Sequence, residues 1–325
     1  MINTVRNTVL SVLNKNNYGY LSPSDFNLFA KQAQLDIFES YFYQYNYQIN
    51  KENARQSGTG IADLAKGIEE SMDLFSVTEG LSLDTVGTAG SYQMPSADTT
   101  GSDYYFVNKI LAYKDIITSG VTDGPNPPTA NELVDSTKNF TTLGVVAGDI
   151  VAVQTNTTGV QYTTVVSINL AGDTITLSSG ILDLTPLSYT IIQAGTQQNE
   201  AEKVTHSKIT MLNNSIYTAP NTTYPAYTSQ EALLQVSPNT IASAGRVIAQ
   251  YFRYPKDPNW TYVTLTNDEP VFDSTAADYQ DFEVPLDDEN NLTMKILQYA
   301  GVSIREAEVY QFANGEETKE NQQEG

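Results

Sequence analysis

The sequence predicts an α+β protein with a helical body, a mixed β region and an inserted small all-β barrel or sandwich domain. Three observations predict this class. Apolar residues recur at helical spacing over the first 75 residues, the middle of the chain changes to short alternating runs, and helical spacing returns near residue 289. With 325 residues, the chain is long enough for about two domains.

Two helices are predicted at the start of the chain. Residues 3–14 carry apolar side chains three or four positions apart. Ser22 can cap the next helix, and Pro23 fits its first turn. Helical spacing then continues to about residue 52, a length of about 45 Å. One face carries an aromatic stripe that is expected to be core or subunit interface: Phe26, Phe29, Ile37, Tyr41 and Tyr45.

A third helix is predicted over 61–75, after a glycine-rich break at 57–60. The break is not a nucleotide-binding loop, because no strand precedes it and no third glycine is suitably placed. A short strand is expected next at 91–95, and residues 104–113 fit either a strand or a helix. This second run is rich in aromatic and β-branched residues, which favours the strand.

A β unit follows a segment at 118–133 whose glycines and prolines are typical of a linker. Turns every eight to twelve residues separate alternating runs, which predicts a barrel or sandwich. Since helical and mixed sequence resumes afterwards, the unit is expected to be an insertion whose ends, near Ile116 and Gln193, lie close together. The predicted strand runs are 143–154, 160–168, 173–177 and 187–192.

The chain is therefore expected to have four parts. Because an inserted domain carries its own core, deleting 119–192 is expected to leave a folded body. In the C-terminal body segment, a helix is predicted to begin in 287–291 and to end at Gly301, and a second short helix is predicted to start at 302–303. The parts are an N-terminal body segment, the inserted β domain, a C-terminal body segment and a disordered acidic tail: 1–117, 118–196, 197–314 and 315–325.

The composition leaves little material for catalysis. The chain has no Cys and a single His, His206, so thiol chemistry, Cys metal sites and Ser-His-Asp triads are not expected. Asp287, Asp288 and Glu289 are consecutive, so their side chains fan around a helix start rather than face one another. No catalytic, cofactor or metal site is predicted, and the chain is not expected to be an enzyme.

The charge balance is strongly acidic, with 17 Lys and Arg against 38 Asp and Glu. Binding to nucleic acid through phosphates requires clustered basic residues, so no specific nucleic-acid binding is expected. No signal peptide and no long apolar run is recognised, so no membrane partner is expected. The 21 tyrosines favour protein interfaces, because tyrosine combines apolar area with a polar group.

Three tracts resemble structural proteins of crAss-like and related phages of Bacteroidota. The first is MINTVRNTVLSVLNKNNYGYLSPSDFNLFAKQAQLDIFE at the N-terminus, the second is YFRYPKDPNWTY at 251–262, and the third is DFEVPLDDENNLTMKILQYAGVSIREAEVYQF at 281–312. They are most similar to the ring protein below the portal at the head-to-tail junction. The helical body is accordingly expected to be adaptor-like.

This resemblance implies a set of partners and a location. It implies a homo-oligomeric ring of about twelve copies, closed by rotational symmetry. The ring would dock on the portal protein and on adjacent tail or ring proteins, and DNA would pass through its channel without specific binding. The protein would be made in the bacterial host cytoplasm and reside in the virion. The family has no shared catalytic residues that could be transferred to this chain.

The inserted unit is similar to small β modules that recur in phage structural proteins. Five residues carry this similarity, as Asp135-x-x-Lys138-x-Phe140 followed by Gly148-Asp149. A fibre-anchoring or adhesin-type protein that binds through 118–196 is the alternative function. Exposed aromatic residues with carboxylates at loop tips would favour it, but the unit offers only Phe140, Tyr162 and Tyr189. A virion hydrolase is disfavoured because a plausible acid–base set is missing.

Overall fold

The computed structural model describes residues 1–13, 21–54, 64–84, 90–96, 103–123, 130–155, 159–182, 185–230, 232–264 and 270–304. Within these ranges it combines five α-helices with several β-sheets, so the chain is α+β. The chain divides into two compact units. Unit 1 comprises Met1–Phe75 and Tyr254–Gly325, and unit 2 comprises Ser76–Arg253.

The elements are numbered in chain order. The helices are α1 (Ile2–Leu13), α2 (Pro23–Ala54), α3 (Leu64–Asp73), α4 (His206–Asn213) and α5 (Glu289–Ile304). The strands are β1 (Ser76–Gly80), β2 (Ser91–Gln93), β3 (Tyr104–Tyr113), β4 (Ile116–Val121), β5 (Glu132–Val134), β6 (Ile150–Gln154), β7 (Val160–Ile168), β8 (Thr174–Leu177), β9 (Ser188–Ile192), β10 (Gln198–Glu200), β11 (Glu202–Lys203), β12 (Ala226–Gln230), β13 (Leu233–Ser237), β14 (Val247–Arg253), β15 (Tyr262–Thr264) and β16 (Pro270–Phe272).

Unit 1 contains four of these helices and the β15–β16 hairpin. The predicted start of α2 is confirmed, because Ser22 Oγ accepts the backbone N–H of Asp25 at 3.1 Å. The predicted helices over 3–14, 23–52 and 61–75 are confirmed as α1, α2 and α3, although residues 14 and 61–63 lie outside the described ranges. Helix α2 packs against α3 and α5, and α1 packs against α5.

The predicted helix end at Gly301 and the predicted start of a second helix at 302–303 are wrong. Helix α5 continues through Gly301 to Ile304 instead of ending at the glycine. A glycine inside a helix costs about 1 kcal/mol relative to alanine, which packing can offset. Gly301 is buried, as are Ile296, Leu297 and Ala300 on the preceding turns. The predicted tail, 315–325, lies outside the described residues.

Unit 2 is built from three sheets. Two have four strands, in the orders β1-β14-β3-β10 and β11-β12-β13-β2. The third has six strands, in the order β4-β9-β6-β7-β8-β5, and curls into a half-barrel. The two edges of this curled sheet approach each other, because the Asp123 N–H donates to the Val134 carbonyl at 2.9 Å.

Most strand predictions in this region are confirmed, with two corrections. Strand β6 begins at Ile150 rather than 143, because residues 143–149 form turns in which Gly144 and Gly148 have positive φ. The predicted linker at 118–133 contains most of strand β4 and the beginning of β5. The ends of the segment do lie close together, because Ile116 pairs with Ile192.

The curled sheet draws all its strands from 116–192, yet it packs on the rest of unit 2. Gln154 on β6 exchanges two hydrogen bonds with the backbone of Leu83, at 3.0 and 3.1 Å. Tyr162 on β7 donates to the Gly245 carbonyl at 2.8 Å. A shared apolar cluster joins the two parts: Tyr113, Ala152, Val160, Ile192 and Ile248. The domain boundaries at 118 and 196 stay a prediction.

Candidate functional site

Trp260 is the centre of a hydrogen-bonded junction in unit 1 and is 2% exposed. Its backbone N–H donates to Asn27 Oδ1 at 2.9 Å, and its indole Nε1 donates to Asn3 Oδ1 at 3.1 Å. Asn27 Nδ2 donates in turn to Asn259 Oδ1 at 2.7 Å. Buried polar groups are stable only when they are paired, so these bonds fix α1, α2 and the segment around 260 against each other.

Aromatic and cationic contacts complete this junction. The Arg6 guanidinium carbon lies 3.7 Å from the centroid of the Trp260 ring, and Arg6 is itself buried. Tyr262 and Phe272 of the hairpin stack with Trp260 at centroid distances of 5.6 and 5.9 Å. A desolvated guanidinium over an indole is attracted by the ring quadrupole, so the contact contributes to the stability of unit 1.

A second set of bonds joins the segment around 281 to the N-terminal helices. Asp281 accepts from the Met1 ammonium at 3.0 Å and from the Ile2 N–H at 2.7 Å. Burial would raise the pKa of Asp281, but these hydrogen bonds and the one from Phe282 outweigh it and lower the pKa. Gln34 on α2 donates to the Lys256 carbonyl at 2.8 Å and accepts the Glu283 N–H at 3.0 Å.

The aromatic stripe of α2 contributes to the core of unit 1. Phe26, Ile37 and Tyr41 are buried, while Phe29 and Tyr45 are half-buried. The Phe29 ring stacks with Tyr299 of α5 at 6.4 Å, and the Tyr41 hydroxyl donates to Asp288. Burial, followed by the hydrogen bond to Asp288, raises the pKa of Tyr41. Asp288 therefore serves as an acceptor for α2 next to the start of α5.

The motif around Asp135 holds together the core of the curled sheet. Asp135 is buried, and its carboxylate accepts the Thr137 N–H at 2.9 Å and the Tyr189 hydroxyl at 2.5 Å. Phe140 is also buried and meets the Tyr189 ring edge-on at 6.2 Å. Lys138 is half-buried, and its N–H donates to the Asp135 carbonyl at 3.1 Å. The spacing Asp-x-x-Lys-x-Phe therefore builds a turn around a buried carboxylate.

Gly148 and Asp149 form the second half of this motif. The backbone of Gly148 has a φ of 96°, a conformation that glycine adopts without strain. Asp149 is buried, and its carboxylate accepts the N–H of Val146 at 2.8 Å and that of Ala194 at 3.0 Å. The aspartate thus ties the turn before β6 to the chain after β9. All five motif residues have structural contacts in this sheet.

Sequence reasoning missed that tyrosine hydroxyls repeatedly pair with carboxylates. Besides the Tyr41–Asp288 and Tyr189–Asp135 pairs, Tyr251 donates to Glu79 at 2.9 Å, and a fourth bond joins Tyr299 to Asp36. Burial and the hydrogen bond to Asp135 raise the pKa of Tyr189. The signal was present in the composition, since 38 acidic residues outnumber 17 basic ones and 21 tyrosines are available as donors.

Among the residues considered for chemistry, the structure describes His206 and the acidic run 287–289. His206 is exposed at the first turn of α4, and Asp287 is exposed while Asp288 accepts from Tyr41. No group of three or more His, Asp and Glu side chains that could hold a metal ion occurs within the described ranges. Among the same residues, no helix has both the length and the apolar character needed to cross a membrane.

The aromatic residues of the curled sheet are not arranged as a sugar-binding platform. Phe140 and Tyr189 are buried in its core, and Tyr162 directs its hydroxyl to Gly245. Comparison with known proteins gives no matching family model and no matching curated protein. A proposal for the function therefore depends on the three tracts 1–39, 251–262 and 281–312 and on the contacts between them.

Proposed function

We propose that this chain is a virion structural protein that forms a ring at the phage head-to-tail junction, below the portal and around the DNA exit channel. The observation that carries the proposal is the convergence of three tracts, whose described residues lie in unit 1 apart from 251–253. The tract at 1–39 meets the tract at 251–262 through Trp260, and it meets the tract at 281–312 through Asp281. These are the tracts that resemble the ring proteins, so the resemblance covers an interconnected structure.

In this proposal, unit 1 is the adaptor-like body and α2 is its strut. Helix α2 has 32 residues, a length of about 48 Å. Besides its buried stripe, it carries three exposed apolar residues that fall within about 100° of one another around the helix axis: Leu28, Tyr43 and Tyr47. Exposed apolar side chains on one face are typical of protein interfaces, which supports lateral contacts between neighbouring subunits.

The charge of the chain supports a role beside DNA without binding to it. A net charge of −21 repels phosphate, so a channel lined by such subunits would let DNA slide rather than adhere. The same charge opposes the packing of many copies, so ring formation would depend on screening by salt or on a basic partner. We therefore expect assembly to strengthen as ionic strength rises from low values.

The experiment that tests this function combines the purified chain with the portal protein of the same phage and examines the mixture by electron microscopy. The expected result is a closed ring on one end of the portal, with the rotational symmetry of about twelve subunits. The portal alone and the chain alone are the controls. A chain that neither decorates the portal nor changes its class averages would contradict the proposal.

A further inference from the structure

One short segment of unit 2 carries several large apolar side chains that are largely exposed. Residues 206–224, here called the arm, comprise α4 and the turns that lead to β12. Ile216 is 96% exposed and Tyr217 is 99% exposed, and Met211 and Tyr224 are also largely exposed. No residue of α4 is buried. Isolated apolar side chains on a surface are common, but several within one short segment are typical of an interaction site.

The arm is nevertheless an ordered structure. Thr205 caps α4, with its hydroxyl accepting the Lys208 N–H at 3.3 Å. Asn221 Oδ1 accepts the N–H groups of Thr223 and Tyr224, both at 2.9 Å. Asn199 Nδ2 on β10 donates to the Thr222 carbonyl at 3.0 Å and fixes the end of the arm to the sheet. The exposed side chains are therefore presented on a fixed backbone, which reduces the entropy lost on binding.

The charge of this region indicates what kind of surface it meets. Residues 203–230 contain no Asp or Glu, and this is the longest such stretch in the chain. The charged side chain of the arm, Lys208, is paired with Glu202 at 3.0 Å. Depletion of charge together with Tyr, Met and other apolar residues is the composition of an interface core. A basic partner would instead be attracted to the acidic surface outside the arm.

We infer that the arm docks onto a second copy of this chain. Two copies that each carry a charge of −21 repel each other, and they can approach most closely where one of them has no acidic group. The inference rests on the proposed ring, in which every subunit contacts another copy of itself. A contact between the arm and a different surface of the neighbour is heterologous, the kind of contact that closes rings.

The absence of cysteine from the sequence allows a direct test. Ile216→Cys introduces a single thiol in the arm, which is then labelled with a benzophenone maleimide. The labelled protein is mixed with 15N-labelled wild-type chain, with and without portal protein, and irradiated. Mass spectrometry separates cross-links within one copy from those between copies. Leu170→Cys is the matched control, because Leu170 is also an apolar residue in a turn and is 107% exposed.

Cross-links from position 216 to the isotopically labelled copy, several-fold above those from position 170, are the expected result. In addition, Ile216→Ser combined with Tyr217→Ser should weaken self-association at least about tenfold, while Leu170→Ser should not. An absence of links between copies in both preparations, or links to the portal alone, overturns the inference. Pairs of copies linked through the arm that do not respond to the portal would support the inference and contradict the ring. Rings bound to the portal without links from the arm would support the ring and contradict the inference.

Discussion

The guanidinium carbon of Arg6 lies 3.7 Å from the centroid of the Trp260 ring, in a site where both side chains are almost fully buried. This contact joins the first helix to a segment more than 250 positions later in the chain. Trp260 is the single tryptophan of the sequence, so its fluorescence reports on this junction and on unit 1 alone. The stability of the junction can therefore be measured separately from that of unit 2.

Replacing Arg6 by lysine is expected to destabilise unit 1 by about 1–2 kcal/mol. Lysine keeps the charge but lacks the planar group that stacks on the indole. Urea unfolding followed by Trp260 fluorescence measures the effect. Lys31→Met is the control, because Lys31 forms an exposed ion pair with Asp257 and should change stability by less than about 1 kcal/mol. Equal effects of the two variants would contradict the assigned role of Arg6.

Replacing Tyr189 by phenylalanine is expected to destabilise the curled sheet by about 1–3 kcal/mol. The change removes the hydroxyl that pairs with Asp135 and leaves a buried carboxylate without this donor. Hydrogen exchange of the amides in β6 and β9 measures the effect in that sheet. The double variant Tyr189→Phe with Asp135→Asn should recover part of the loss, since the uncompensated charge is gone. A double variant that is worse than the sum of its parts would argue against the pairing.

The chain is expected to lose stability at alkaline pH through Tyr92. Burial raises the pKa of Tyr92 to about 12, with the Ser243 backbone and Arg246 acting in the opposite direction. Since the folded pKa is above the ordinary value of about 10, the contribution is complete below pH 10 and is lost between pH 10 and 12. It amounts to about 2–3 kcal/mol.

This pH dependence is measured by urea unfolding, followed by far-ultraviolet circular dichroism, at steps between pH 8 and pH 12. Tyr92→Phe should be less stable near pH 8, because the Ser243 N–H loses its acceptor at 3.1 Å, yet its stability should fall less steeply above pH 10. Parallel curves for wild type and Tyr92→Phe would refute the role of this hydroxyl.

Gly245 is expected to tolerate no side chain. A Cβ there would lie 2.4 Å from Ala152 Cβ and 2.9 Å from Val160 Cγ1, between the curled sheet and its neighbour in unit 2. Gly195 has a similar positive φ but open space around it, so Gly195→Ala has the backbone cost alone. In thermal unfolding, the loss of stability caused by Gly245→Ala should exceed that caused by Gly195→Ala by about 1–3 kcal/mol. Similar losses in the two variants would show that the close approach is relaxed in solution.

The sequence predicted elements whose pattern is local. Helix α2 could be placed because its cap at Ser22 and its apolar spacing occur in consecutive residues. Strands β10, β11, β12 and β13 were not predicted individually, since their stability depends on pairing with distant strands such as β2 and β3. Tertiary packing also explains why the predicted helix end at Gly301 was wrong. Burial of the surrounding helix outweighs the low helix propensity of one glycine.

The candidate site was harder to predict than the fold. The motif Asp135-x-x-Lys138-x-Phe140 stood out in the sequence, but its partner Tyr189 lies 54 positions away from Asp135. The junction around Trp260 likewise depends on Asn3 and Asn27, which no short motif links to it. Contacts between polar side chains at long sequence separation follow from the tertiary fold, and a single sequence does not encode them as a pattern.

The packing of the curled sheet changes what a deletion of 119–192 should do. The deletion removes Ala152, Val160 and Ile192 from the cluster that they share with Tyr113 and Ile248. Unit 1 should remain folded, with unchanged Trp260 emission and an unchanged urea midpoint, because the deleted residues all belong to unit 2. The rest of unit 2 should lose hydrogen-exchange protection in β3 and β14. Full protection in both strands would support an independent inserted domain.

The central claim is a ring at the head-to-tail junction, and native mass spectrometry of the purified chain, first alone and then with the phage portal, tests it most directly. The proposed function predicts a species of about twelve subunits, either in both samples or only after the portal is added. A persistent monomer or trimer that does not respond to the portal would contradict the ring and favour the fibre-anchoring alternative.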